Sequence, residues 1–375
     1  MGKIAFLKSS DNCVGRVLCS VLPPATIDNI NNPNKFLIIR PGGIGDAVIL
    51  APVINSLKKD FPNCTITLLA ENRNSSAFSL ISGVDKTFRY DRPLELAKVL
   101  CDRYDIIIDT EQWYRLSAVV ARLIWSQIKI GFATNERQRM FNHIISYDLV
   151  AYESENFASL LKPLGVNCQL DSESCALSVT PQSASKAVQL LQPINSESFV
   201  VMFPGASIPE KRWGIDRFRR VAELLAAFGI TVVVVGGKDN RQHGEQIVGG
   251  GLGLNLAGVT SLPETAAIIQ KSSLLLSGDS GVLHIGVGLG VPTVSLFGPG
   301  RASKWAPRGD RHLVINKCLP CSPCTTFGNT PPCPIHAQCM RDITVDEVFN
   351  AVTMLLTSVG ATPSRCCKRD WGEII

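Results

Sequence analysis

The residues able to do chemistry gather in a few short stretches, the first being Pro41-Gly42-Gly43-Ile44-Gly45-Asp46. Glycines directly after an apolar run let backbone amides approach a ligand, and a following helix offers its positive N-terminus. Two common phosphate signatures are nevertheless missing. The order G-G-x-G-D is not the G-x-G-x-x-G of dinucleotide sites, and Asp46 stands where the lysine of a nucleoside-triphosphatase loop would be. A carboxylate aimed at phosphate repels it, so the loop with Gly42, Gly43 and Gly45 is expected to hold something else. Two roles are open to Asp46: a general base facing an alcohol, or a carboxylate favouring a helix dipole, worth roughly 0.3–1 kcal/mol.

A second stretch, Gly205-Ala206-Ser207 followed by Lys211-Arg212-Trp213, is a small-residue turn trailed by cations. Ser207 and the turn amides suit phosphate oxygens, with Lys211 as the mobile charge; an exposed basic loop is the plainer reading. A third, Ser277-Gly278-Asp279-Ser280-Gly281-Val282-Leu283-His284, leads from an apolar strand into a helix. Its amides at Ser280 and Gly281 suit a diphosphate, although Asp279 and His284 read equally as a cap and a buried histidine. Taken together, one half would hold an anionic nucleotide leaving group and the other would present a carboxylate base, the layout of a sugar-nucleotide transferase. Acceptor contacts are then expected from the first half, where Arg115, Arg137 and Arg139 either meet phosphates or acidic sugars or are ordinary surface arginines.

Five of the 13 cysteines crowd into Cys318-x-x-Cys321-x-x-Cys324, Cys333 and Cys339. Short C-x-x-C steps suit tetrahedral zinc or iron in a structural site. A proline-rich loop of reduced thiols, or one adventitious disulfide, fits the same residues.

These stretches need a scaffold that brings loops to one edge. Phe36–Arg40, Thr65–Ala70, Tyr104–Asp109 and Ile128–Phe132 read as buried strands, separated by amphipathic stretches such as Ala47–Phe61 and Trp113–Trp125. Short continuous apolar strands alternating with helices indicate βαβ units and a parallel sheet covered on both faces. The pattern restarts at Ser198–Phe203, followed by a helix at Asp216–Phe228 and strands at Ile230–Val235, Ser273–Ser277 and Thr293–Phe297. The expected class is therefore α/β, with two Rossmann-like, doubly wound domains. The boundaries are an N-terminal extension at 1–35, a first domain at 36–175, a linker at 176–196 and a second domain at 197–359. The second domain carries the cysteine-rich loop 318–339, and a tail follows at 360–375. Within the extension, Val14–Leu22 is an apolar patch that packs on the domain or touches a membrane surface. Near the end, Thr344 and Glu347 have the spacing of a capping box opening a helix to Ser358.

Composition sets outer limits. The sequence is 375 residues long, 45% hydrophobic and 18% charged, which fits two globular domains and excludes wholesale disorder. A formal charge of +5 suits an anionic substrate or an acidic membrane surface and is too small to argue for nucleic acid. Met1–Lys8 does not read as a secretory signal. The uncharged run around Ser280–Gly300 is broken by glycines and prolines, and reads as helix, turn and buried strand rather than a span. A soluble, cytoplasmic protein is expected, with the scattered cysteines reduced.

The segments RPGGIGDAVILAPVINSLKKDFP, PGASIPEKRWGIDRF and SGDSGVLHIGVGLGVPTVSLFGP, in this order, closely resemble glycosyltransferase family nine, the bacterial heptosyltransferases of the lipopolysaccharide inner core. The similarity runs from about Phe36 to about Val359. It implies a GT-B fold, with the two domains facing across a cleft, and an inverting, metal-independent transfer from ADP-heptose to a lipid-linked sugar at the inner membrane surface. It further implies Asp46 as general base, Lys211 as the neutraliser of the diphosphate, and Asp279, Ser280, Gly281 and His284 as the donor grip. No catalytic cofactor is implied. Several family members have similar cysteines, and some protein-glycosylating relatives carry an iron-bound cysteine finger. Two departures stand out: Gly236-Gly237-Lys238-Asp239 replaces the glutamate that many relatives place for the ribose, and the extension before Phe36 is additional. Alternatives are transfer of another nucleotide sugar, transfer to protein, or a non-catalytic metal-binding or assembly protein on the same fold.

Overall fold

The computed structural model describes residues 11–25, 32–170, 175–194, 198–358 and 360. The expectations for Met1–Lys8 and for most of the 360–375 tail fall outside them, as do parts of the extension and linker. The chain forms two compact units, one reaching to residue 170 and including Ala176–Ser178, the other running from Val179 onward.

In the first unit six parallel strands, β1 (Lys35–Arg40), β2 (Thr65–Ala70), β3 (Lys86–Arg89), β4 (Arg103–Asp109), β5 (Trp125–Phe132) and β6 (His143–Ile145), lie in the order β3-β2-β1-β4-β5-β6. The second unit has β7 (Phe199–Phe203), β8 (Thr231–Val234), β9 (Gly253–Asn255), β10 (Leu274–Gly278), β11 (Thr293–Phe297) and β12 (His312–Asn316). Their order, β12-β11-β10-β7-β8-β9, is the same doubly wound sequence when read from the β9 edge: third, second, first, fourth, fifth, sixth. Registers such as Phe36↔Ile106 and Leu275↔Val201 place the first and fourth strands of each unit side by side.

The apolar runs are continuous because helices cover both faces of each sheet. Leu37, Ile38 and Ile39 are buried, as are Val200, Val201 and Met202. Each such side chain stabilises the fold by about 1.5–3 kcal/mol. In the N-terminal extension, helix Arg16–Val21 packs on the first core through Cys19, with Leu18 and Leu22 against the same cluster. Within the expected linker, Pro181–Leu191 is a helix, with Thr180 as its N-cap and Pro181 in its first turn. The stretch Ala47–Phe61 is two helices, Ile44–Ile49 and Ala51–Asp60, the second with proline in its first turn. Pro52 has no amide to continue the first helix, so the chain restarts there. The capping box at Thr344 is present: its hydroxyl accepts from the Glu347 amide at 3.2 Å, and the Glu347 carboxylate accepts from the Thr344 amide at 2.8 Å.

Candidate functional site

In a doubly wound sheet the carboxyl ends of the first and fourth strands diverge, and ligands bind where they part. In the first unit those ends carry Arg40 and the Pro41–Asp46 loop on one side, and Asp109–Gln112 on the other. Gly42 adopts φ +115°, a left-handed conformation that turns the chain sharply. Asp46 follows as the third residue of helix Ile44–Ile49, and its Oδ2 accepts from the Gly43 amide at 3.0 Å. Its other oxygen lies 3.4 Å from Arg40 Nη2. Asp46 thus lies in the first turn of its helix and accepts from the Gly43 amide ahead of it, while its side chain keeps 22% of its surface exposed.

Arg40 is buried at the end of β1. Its Nη1 donates to the Thr110 carbonyl at 2.6 Å and its Nη2 to Gln112 Oε1 at 3.3 Å, with Glu111 at 3.7 Å. Burial disfavours its charge, yet Asp46, Glu111, Glu153 and Asp109 together hold its pKa above the ordinary value. Gln112 donates to Glu153, which also accepts from the Tyr147 hydroxyl. On the other flank Glu71 accepts from the Gly42 amide at 3.3 Å and from Arg73 at 2.7 Å. Asn74 donates to the Arg40 carbonyl at 3.1 Å. The amides of Gly42 and Gly43 are therefore bonded to carboxylates, not presented to an anion.

The three arginines expected at the acceptor are engaged within the unit. Arg115 is buried and bonds Glu136 through Nε at 2.8 Å, while its amide and that of Leu116 donate to Asp11 Oδ1 at 2.6 and 2.8 Å. Asp11 thereby caps helix Leu116–Leu123 from the N-terminal extension. Arg137 and its partner Asp109 have no exposed side-chain surface and meet at 2.6 Å. Burial raises the Asp109 carboxyl, against the pull of Arg137, the Glu111 amide and the Ser117 hydroxyl. Arg139 is exposed and donates to the Ser20 carbonyl at 2.9 Å.

In the second unit the corresponding ends belong to β7 and β10. After β7 the chain passes exposed Ser207 and reaches Lys211 on a single turn, Pro209–Lys211, anchored by Trp213 donating to the Ile343 carbonyl at 2.9 Å. Lys211 Nζ meets Asp279 Oδ2 at 2.6 Å, the side chains being 16% and 12% exposed. Room for that carboxylate depends on Gly300, where an added Cβ would lie 2.1 Å from Asp279 Oδ2. Ser280 is the N-cap of helix Gly281–Gly288: its hydroxyl accepts from the Leu283 amide at 3.3 Å and shares 2.9 Å with Ser277. The remaining first-turn amides have no partner within the helix and lie beside Lys211's pairing partner. His284 is buried in that helix, its ring 6.3 Å from Trp305.

Residues 94–333 match the family model described as glycosyltransferase family 9 (heptosyltransferase). The chain belongs to this family. Family 9 relatives include lipopolysaccharide heptosyltransferase 3 of Escherichia coli, 30% identical over 286 residues that cover 70% of this chain and 83% of the relative. Among solved structures, E. coli ADP-heptose lps heptosyltransferase II superposes with a TM-score of 0.69 at 22% identity, covering 86% of this chain and 99% of the other. The E. coli heptosyltransferase WaaC with ADP-2-deoxy-2-fluoro heptose gives 0.67 at 17% identity, over 85% and 99%. This likeness identifies the fold as GT-B, and the family makes the chain a glycosyltransferase.

For this family 9 member the structural zinc or iron that the cysteine spacing leaves open finds no support. Among the described residues no three His, Cys, Asp or Glu side chains form a group able to hold a metal. Cys318 and Cys321 are exposed, Cys324 and Cys333 partly covered, and Cys339 buried. Cys339 packs beneath Gly298, its sulfur 3.0 Å from where a Cβ would sit. The loop instead bonds to the chain after β11, with the Cys324 and Thr325 amides donating to the Pro299 carbonyl at 3.1 and 3.0 Å. None of the described helices is long and apolar enough to cross a membrane.

Sequence reasoning passed over Arg40, Glu71, Glu111 and Gln112. One signal was available: a charged residue ending an apolar strand, as in FLIIR and YDIIIDTEQ, lies at the sheet edge where ligands bind.

Proposed function

We propose that the chain transfers a heptose from ADP-heptose to a lipopolysaccharide core-type acceptor, with inversion and without a catalytic metal. The observation that carries this reading is the unlike treatment of the two switch-point loops. Around Pro41–Asp46 the amides are taken by carboxylates and Asp46 remains accessible. Around Gly278–Gly281 a lysine and a serine-capped helix N-terminus favour anions.

In this reading Asp46 takes the proton of an acceptor hydroxyl as its oxygen attacks the anomeric carbon. The bond from that carbon to the diphosphate oxygen breaks, and ADP leaves with the electron pair. The charge growing on the diphosphate is met by Lys211 and the amides near Ser280 and Gly281, fixed donors that need little reorganisation. Asp279 holds Lys211 in place beforehand, with Ser207 and His284 completing the donor side. Of the three arginines, Arg139 is the one presented to solvent for an acidic acceptor, with Arg115 and Arg137 supporting the loops behind it. A lipid-linked acceptor places the reaction at the cytoplasmic surface of the inner membrane.

The test is transfer and binding across ADP-heptose, UDP-sugars and GDP-sugars with the purified protein. ADP-heptose is expected to stabilise the fold and to be turned over with an acceptor. Asp46→Ala should lower turnover by about 10²–10⁴-fold with ADP affinity within twofold of the parent. Full turnover in that variant removes the base assignment, and stabilisation by UDP- or GDP-sugars alone removes the donor.

A further inference from the structure

The loop itself singles out Asp46, but not the residue that aims it. We propose that Arg40 is a positioning residue for the transfer, fixing the Asp46 carboxylate so that it faces the incoming hydroxyl. This inference rests on Asp46 being the base.

Three observations carry it. First, the carboxylate is held at both oxygens from different elements: Oδ2 by the Gly43 amide at 3.0 Å, and Oδ1 by Arg40 Nη2 at 3.4 Å. Each oxygen keeps a lone pair for a substrate proton, while rotation of the group would break a contact. Second, the loop's glycines make room for this contact. A Cβ on Gly42 would lie 2.9 Å from Arg40 Nη2 and 3.3 Å from Asp46 Oδ2, and one on Gly43 would lie 3.1 Å from Asp46 Oδ2. The motif G-G-x-G-D, which fits no phosphate signature, is thereby explained as clearance for a cation beneath a carboxylate.

Third, Arg40 is a poor choice for stability alone. Its side chain is 2% exposed, and its Nε has no hydrogen-bond partner among the described residues. A buried orphan donor is costly, and well-packed apolar side chains often replace buried ion pairs at no loss. What the guanidinium supplies is direction. Thr110 and Gln112 clamp it on the β4 side, Gln112 is itself fixed by Glu153, and the remaining reach is toward Asp46 and Glu111.

The experiment compares Arg40→Met, Arg40→Lys, Asp46→Asn and the double variant Arg40→Met/Asp46→Asn, reading kcat, both KM values, ADP affinity and thermal unfolding. Arg40→Met is expected to lower kcat about 100-fold, the cost of a base misplaced by an ångström or so, with donor KM and ADP affinity within twofold. Arg40→Lys keeps the charge without the fork and should recover about tenfold of that loss. The double variant should be no slower than Asp46→Asn, because two residues acting as a unit are not additive.

A kcat within threefold of the parent in folded Arg40→Met overturns the proposal. So does a double variant slower than Asp46→Asn by the full Arg40 factor, or a loss confined to donor KM. If Arg40→Met does not fold, Arg40→Lys decides: it must lower kcat with donor KM unchanged, and an unchanged kcat overturns the proposal. Full activity in Asp46→Asn is a different failure, because it removes the base reading itself.

Discussion

At the switch point between first and fourth strands, each unit sets a cation at or after the end of one strand against an acid after the end of the other. In the first unit the pair is Arg40 with Glu111, both buried and tied into Asp46, Gln112 and Glu153. In the second it is Lys211 with Asp279, partly open and bonded to each other. The same strand order thus supports two electrostatic designs. One turns its amides and charges inward around the Asp46 carboxylate; the other keeps a partly exposed Lys211–Asp279 pair beside the N-terminus of helix Gly281–Gly288. Fold alone does not distinguish them, and the side chains ending the strands do.

If the first edge is a buried network and the second a more accessible one, cutting each should cost unequal stability. Arg137→Met strands the fully buried Asp109 and is expected to destabilise its unit by about 3–5 kcal/mol, against about 1–2 kcal/mol for Lys211→Met. Urea unfolding measures both, and equal losses would erase the distinction. Next comes the clamp on the first unit. Asp11→Ala removes the cap of helix Leu116–Leu123 and should cost about 1–2 kcal/mol, read as a lower urea midpoint with unchanged slope.

The smallest expected effect concerns pH. His312, bonded to Thr293 at 2.9 Å at the opposite edge of the second sheet, is pushed down from 6.5 to about 4 by burial, aided by Arg311. The unfolded chain takes that proton first, so its contribution is complete above pH 6.5 and is lost as pH falls toward 4, by at most about 1.4 kcal/mol per pH unit. In the first unit Glu136 is held down from 4.5 to about 2 by its own backbone amide, with Arg115 adding to the effect. Its contribution is present above pH 4.5 and is lost as pH falls through 2. Acid should therefore weaken the second unit before the first, and His312→Asn should flatten the change between pH 6.5 and 4. An unaltered pH dependence in that variant would rule His312 out as its source.

Much of the fold was legible because central parallel strands must be continuously apolar. TITLLA and TVSLF were bounded to the residue. The edge strands KTFR, HII and GLN, with HLVIN, carry polar residues or are too short to stand out from loops. Helix Pro181–Leu191 was hidden by reading its serines and prolines as linker composition, although Thr180-Pro181 is a helix start. For the candidate site, local spacing singled out Asp46, Lys211 and the Asp279–His284 turn. It did not reveal that Arg40 reaches a carbonyl 70 residues away, or that Arg115 and Arg137 face inward. Those facts depend on which strands become neighbours, and a single sequence does not encode that locally.

The Asp11 carboxylate has a dynamic consequence. It closes a helix whose first amides lie 104 residues further along the chain. Arg115 and Leu116 can therefore exchange their amide hydrogens whenever the extension lifts, without their own helix unwinding. In deuterium they become reporters for the far end of the sequence, timing its departures from the surface rather than the breathing of the turn that carries them.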